Sequence, residues 1–241
     1  MAGRDLGQAS RLAAATGAYL CFEDEAGQSL RPPKARTWAR RGHTPVAVVS
    51  GKGSGRVSVA GLACYRPGER SRFFYRIRIH TGRKGERRSL SEADYAGPVT
   101  AAHQQLHAPL ILCWDNLNTH ISTQMRVLLR AHRDWLTVVQ MPSYAPDLNS
   151  VEGAWSTMKN SLGNLASCGT PHQLAAIIKN RLKRIQYRPA LIEGFLSQTG
   201  LNLEPVPEGR PARARRPGQP PVHCGHPVPG QRPGTAGAVQ P

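Results

Sequence analysis

Three acidic residues of this 241-residue chain stand where carboxylates could do metal-assisted chemistry. Asp24 follows the apolar run Ala18-Tyr19-Leu20-Cys21-Phe22, and Asp115 follows Leu110-Ile111-Leu112-Cys113-Trp114. Glu152 opens a stretch that places Val151, Trp155 and Met158 at helical spacing. The two runs read as buried strands and the stretch as an amphipathic helix. Ligands gather at strand ends of open α/β sheets. Three carboxylates on one such edge repel each other unless a hard cation neutralises them, and Mg²⁺ takes oxygen ligands while keeping waters and substrate phosphates. Two ions about 4 Å apart can activate an attacking oxygen and stabilise a leaving one in phosphodiester displacement. Each acid alone has a plain alternative: Asp115-Asn116 suits a turn or helix cap, and Glu152 suits a favourable charge in a first helical turn.

The elements that must position these acids can be read from the pattern around them. Residues 56–65 and 72–80 alternate apolar and other residues, the latter interleaving Phe73, Tyr75, Ile77 and Ile79 with Arg76, Arg78 and His80. They predict antiparallel strands with one buried and one basic face, and Val46–Val49 predicts another short strand. Residues 90–106 read as helix, with Gly97-Pro98 expected to break or kink it. A helix over 121–132, a strand over 136–139, a turn-rich loop over 141–147 and helices over 171–186 and 189–198 complete the series. Strands first, then alternating helices and strands, predict an α/β fold: a mixed sheet flanked by helices. Residues 1–16 read as a flexible lead-in and 17–203 as the catalytic domain. Residues 204–241, rich in Pro, Arg and Gly, read as a disordered tail.

Composition narrows the partner. The chain carries a net charge of +17, and nearly all of it lies in residues 26–88, where sixteen Lys/Arg face only Glu69 and Glu86. Such a concentration repels itself unless a polyanion relieves it, and a phosphate backbone is the commonest one. No apolar run is long enough to span a bilayer, and no signal-peptide pattern opens the chain. Five scattered cysteines, three of them in apolar runs, fit a reducing cytoplasm rather than a disulfide framework. His223-Cys224-Gly225-His226 has too few ligands for a zinc site.

Four stretches resemble the insertion-sequence branch of the mariner-like DDE transposases. They are Phe22-Glu23-Asp24-Glu25-Ala26-Gly27, the Thr37-Trp38-Ala39-Arg40-Arg41-Gly42-His43-Thr44-Pro45 segment, Trp114-Asp115-Asn116-Leu117-Asn118-Thr119-His120, and Pro142 to Trp155 followed by Lys159. Asp115 and Glu152 have 36 residues between them, as the family spacing expects. The resemblance implies a ribonuclease-H-like fold and a pair of Mg²⁺ (or Mn²⁺) ions held by Asp24, Asp115 and Glu152. It also implies hydrolysis at an element end followed by attack of the freed 3′-OH on target DNA. The expected partners are double-stranded DNA, as element ends and as target, and a second copy in a homodimer. The expected location is the cytoplasm, at the nucleoid. His120, Asn116 and Lys159 are candidate supporting residues, although an Asn-Thr-His turn also suits a helix cap. Glu25 is expected to face away from Asp24, and Trp38 and Trp155 to be packing residues rather than base-stacking ones.

The sequence departs from the family in four places, one of them the Pro/Arg/Gly-rich tail, which is unlike a family C-terminus. Ser150 stands where the family usually has Pro, and is expected to serve as an N-cap. The kinked 90–106 region matches less well. Only about 17 residues precede the first strand, so a helix-turn-helix reader of the terminal repeats is expected to be missing, as in a truncated transposase. The competing readings are an inactive remnant acting as a basic DNA-binding module and a host-recruited nuclease of the same fold.

Overall fold

The computed structural model describes residues 2–30, 40–43, 55–87, 89–115, 120, 122–142, 145–162, 168–203 and 205. Several sequence expectations fall outside them: Val46–Val49, Trp38, Asn116, Asn118, the His223–His226 cluster and, Pro205 excepted, the whole tail.

Five strands make one sheet in the order β3-β2-β1-β4-β5. They are β1 (Tyr19–Ser29), β2 (Arg56–Tyr65), β3 (Arg72–His80), β4 (Leu110–Trp114) and β5 (Leu136–Gln140). β1–β2 and β2–β3 are antiparallel, whereas β1–β4 and β4–β5 are parallel. One face of the sheet carries Phe22, Val59, Phe73 and Cys113 against α4 (Val151–Asn160), α5 (Pro171–Gln186) and α6 (Pro189–Gln198). The other carries Cys21, Leu62, Phe74 and Trp114 against α2 (Glu92–Leu106) and α3 (Thr123–Ala131). Residues adjacent along a central strand are therefore buried in different clusters, which is why β1, β2 and β4 read as nearly unbroken apolar runs.

Residues 2–16 are not a flexible lead-in but a helix, α1 (Ala2–Thr16). Its Leu6, Ala9 and Ala13 fall at helical spacing and are buried in the core. It stops at Gly17, whose φ of +65° only glycine adopts freely. There Ala18 N–H donates to Ala13 and Gly17 N–H to Ala14, the bonding pattern of a Schellman cap.

Two further expectations change. β1 does not end before the acids; it continues to Ser29, because β2 pairs with it from Leu20 to Ser29. Pro98 does not break α2. A proline costs one i→i−4 bond and a clash with the preceding turn, yet Pro98 is buried and the helix is anchored by the reciprocal Ser91–Asp94 capping box. Among the described residues no helix is long and apolar enough to cross a membrane, and Cys21, Cys64, Cys113 and Cys168 are buried free thiols.

Candidate active site

Alternation along β1 sends neighbouring acids to opposite faces. Asp24, in phase with Phe22 and Ala26, points toward α4; Glu23 and Glu25 point toward α2. Asp24 pairs across the ladder with Gly61 of β2. The absence of a side chain at Gly61 makes room for the Trp155 indole: a Cβ there would stand 2.6 Å from the ring. Seated in that gap, Trp155 donates Nε1–H to Asp24 Oδ2 at 3.0 Å, while Glu25 N–H reaches Oδ1 at 2.9 Å. Trp155 is thus a packing residue, as expected, and also a donor to a candidate acid.

Asp115 leaves β4 at the level of Asp24, since both lie two residues past the paired Phe22 and Cys113. The third acid is set by Asn149. Its Nδ2–H donates to the Glu23 carbonyl at 3.0 Å, and its Oδ1 accepts from Val151 N–H at 3.1 Å. The residue that caps α4 and moors it beside Asp24 is therefore Asn149. Ser150, expected in that role, makes no side-chain cap bond and already has helical φ and ψ. Glu152, on the first turn of α4, is exposed and charge-coupled to Asp24. Lys159 lies two turns further along the same helix.

The electrostatics are strained. Burial, then the charges of Glu152 and Glu23, push Asp24 up to about 7 against the donors Glu25 N–H and Trp155 Nε1–H. Burial also raises Glu23, opposed by His120. His120 Nε2 lies 3.1 Å from Glu23 Oε2, and its Nδ1 lies 3.2 Å from Asp115 Oδ1 and 3.1 Å from the Asp115 carbonyl. The Glu23 contact is an ion pair without hydrogen-bond alignment, so neither carboxylate oxygen of Glu23 has an in-line donor. Burial pulls His120 down, but Asp115 and Glu23 outweigh it and raise the imidazole to about 10. It is a cation at neutral pH. The ring stacks on Trp114 at 4.2 Å, and Tyr95 packs edge-on at 4.9 Å while donating its hydroxyl to Glu25 at 2.6 Å.

The structure therefore brings Asp24, Asp115 and Glu152 to one end of the sheet, with His120 buried behind Asp115 rather than capping a helix. Among the described residues no three Asp, Glu, His or Cys side chains converge tightly enough to hold a metal ion as they stand. The donor set nonetheless suits a hard cation: all three candidates are carboxylates, and the repulsion that Asp24 feels from Glu152 is what a cation would relieve. Sequence reasoning missed Glu23, Gly61, Tyr95 and Asn149. Glu23 was findable, because an acid facing inward from a strand buried on both faces must have a partner.

A mixed sheet of this order with helices on both faces, carrying one acid within β1 and another just past the end of the parallel β4, is of the ribonuclease-H-like class of fold. The sequence model for the DDE superfamily endonuclease domain matches residues 19–175, and the chain belongs to that family. Among solved structures it is similar to the mariner Mos1 paired end complex with Mg, at 14% identity and a TM-score of 0.58 over 83% of this chain and 59% of that one. The Mos1 strand transfer complex matches at 14% identity and a TM-score of 0.46, over 84% of this chain and 61% of that one. The catalytic domain of Mos1 mariner transposase matches at 13% identity and a TM-score of 0.39, over 84% and 93%. The chain thus spans about three-fifths of the length of the full transposases it matches. No curated protein matches it.

Proposed function

We propose that this chain is the catalytic unit of a transposase of the insertion-sequence branch, which cuts DNA at an element end and joins the freed 3′-OH to a target. The observation that supports this most directly is Asp24. It is a half-buried carboxylate driven up to about 7 by burial and by its neighbours Glu152 and Glu23, on the sheet end where Asp115 also emerges.

Asp24, Asp115 and Glu152 would hold two divalent cations, Mg²⁺ or Mn²⁺. When bound, such ions activate the attacking oxygen and stabilise the leaving one. The chain's own residues do the positioning. Trp155 Nε1–H and Glu25 N–H hold both Asp24 oxygens from the protein side. His120 occupies Asp115 Oδ1 and supplies a buried positive charge amid the acids. Asn149 fixes the start of α4 and hence Glu152. Lys159, on the same helix as Glu152, would meet a substrate phosphate. Double-stranded DNA is the partner in both steps, and a homodimer would bring two element ends together.

The test is Mg²⁺-dependent nicking and strand joining on supercoiled and linear DNA, with Glu152→Gln as the principal control. Glu152 is the exposed member of the set, so its neutralisation spares the fold. A loss of about a hundredfold or more is expected, the scale of removing a group that stabilises transition-state charge. Activity that persists in Glu152→Gln and Asp115→Asn would sink the assignment, and a folded wild-type protein silent on all substrates would favour an inactive remnant.

A further inference from the structure

The turn that follows β3 has features that the carboxylate site does not use. A cavity of about 600 Å³ opens there, lined by Arg56, His80, Arg83, Lys84, Glu86 and Arg87. The loop is ordered by its only acid. Glu86 Oε2 accepts from Thr81 N–H at 2.8 Å, Thr81 Oγ1–H at 3.1 Å, Gly82 N–H at 2.9 Å and Arg83 N–H at 3.3 Å. Gly82 and Gly85, at φ of +80° and +83°, supply the left-handed turns this requires. From the strand side, buried His80 donates Nδ1–H to the Arg87 carbonyl at 2.9 Å, and its Nε2 meets Ser58 Oγ at 3.2 Å. A carboxylate amid four basic residues would ordinarily pair with them; this one is spent on backbone and hydroxyl donors. Among the described residues Arg56, Arg83 and Lys84 form no salt bridge, and Arg87 reaches only Glu92, at 3.5 Å.

The position is also informative. Arg56 pairs with Ser29 and His80, five residues beyond the Asp24–Gly61–Tyr75 level and in the direction in which β1 and β4 run toward the acids. Five residues of strand span about 17 Å, and Arg56, in phase with Ala60 and Leu62, lies on the α2 side of the sheet whereas Asp24 faces α4.

We propose that this cavity is a preorganised phosphodiester-binding site, formed by Arg56, Arg83 and Lys84, that grips the DNA backbone away from the bond to be cut. It rests on the reading of the chain as a DNA-cutting enzyme, and adds where one strand is held. A loop that only coats the surface with charge does not require an internal carboxylate scaffold; a binding site does.

Glu86 makes the proposal testable, because simple charge counting and preorganisation predict opposite signs. Affinity of the full chain for a duplex of about 20 base pairs is measured without divalent metal, across a salt series. Arg83→Gln and Lys84→Gln are each expected to reduce the slope of log K against log salt by about 0.9, the value for one lost phosphate contact. Glu86→Ala raises the net positive charge, yet is expected to weaken binding about threefold or more and to lower the slope, as the loop loses its scaffold. Arg126→Gln, an exposed position on α3, serves as the reference for a nonspecific surface cation. Tighter binding by Glu86→Ala, or slopes for Arg83→Gln and Lys84→Gln that match the Arg126 reference, would overturn the proposal. Because binding is read without metal, the two readings fail separately. Lost slopes in a protein that never cuts DNA leave the site and remove the nuclease; unchanged slopes in a protein that cuts do the reverse.

Discussion

At the scale of single residues, the candidate site is a set of charges held at a cost. The folded state raises Asp24 from 3.8 to about 7 and His120 from 6.5 to about 10. In both cases the folded protein binds more protons than the unfolded chain between the two values. Stability therefore declines as pH rises through those windows, first about 4 to 7 for Asp24 and then about 6.5 to 10 for His120. We expect the thermal midpoint to fall progressively between about pH 5 and about pH 9. His120→Asn should flatten the upper part of that profile. A divalent cation at the carboxylates competes with the proton on Asp24, so Mg²⁺ should raise the midpoint more at about pH 8 than at about pH 5. Calorimetry across pH, with and without Mg²⁺, reads both effects; a Mg²⁺ shift independent of pH would separate ion binding from Asp24. The positions of Asp24 and Asp115 after apolar runs, and of Glu152 in the first turn of a helix, were legible in the sequence because they are local facts. The roles of Tyr95 and Asn149 were not, because they depend on long-range contacts, Tyr95 to Glu25 and Asn149 to the Glu23 carbonyl; for Glu23 the need of a partner was legible, but not that the partner is His120.

At the scale of elements, the site depends on how closely α4 can approach the sheet, and Gly61 sets that distance. Gly61→Ala places a methyl group against a rigid indole inside a closed core that also holds Phe73, which meets Trp155 at 6.3 Å. Overpacking of this kind costs about 1–3 kcal/mol. Here it should also tilt Trp155 away from Asp24, so the variant is expected to lose activity beyond its loss of stability. Trp155→Phe separates the two, as it keeps most of the packing but removes the Nε1–H donor. Urea melts and nicking rates for both variants check this, and full activity in Trp155→Phe would show the indole to be packing alone. Element boundaries were most legible where periodicity and caps coincide, as in α5 and α6, each of which starts with a proline in its first turn. They were least legible in α1, whose buried face is mostly alanine and so resembles a polar, small-residue segment. Removing residues 1–17 strips Leu6, Ala9 and Ala13 from the core, which a flexible lead-in would not do. At about 25 cal/mol per Å² of lost apolar burial, a cost of a few kcal/mol is expected in denaturant melts.

At the scale of the whole molecule, the excess of cations divides into two kinds. Some complete the fold: Arg78 donates to Asp94 at 2.9 Å and Arg76 lies 3.5 Å from the same carboxylate, whose side chain is only 7% exposed. The basic face expected on β3 is therefore partly neutralised by α2. Others, such as Arg56, Arg83 and Lys84, have no acid to meet among the described residues. A net charge of +17 acts against folding through self-repulsion and in favour of binding a polyanion, and dissolved salt screens both. The free and DNA-bound forms should respond to salt with opposite sign. Raising NaCl from about 0.05 to about 0.3 M shortens the Debye length from about 14 to about 6 Å, which relieves repulsion among surface cations and weakens phosphate contacts. The thermal midpoint of the free protein should rise, while the additional stabilisation conferred by saturating duplex DNA should shrink toward zero. Arg78→Leu should lower the free midpoint without changing the DNA-dependent part, because its partner is protein; Arg83→Gln should do the converse. Differential scanning fluorimetry of the two variants, with and without duplex at the two salt concentrations, assigns each cation to its partner. If Arg78→Leu lowered the DNA-dependent part as much as Arg83→Gln does, the basic segment would have to be treated as one undivided electrostatic surface.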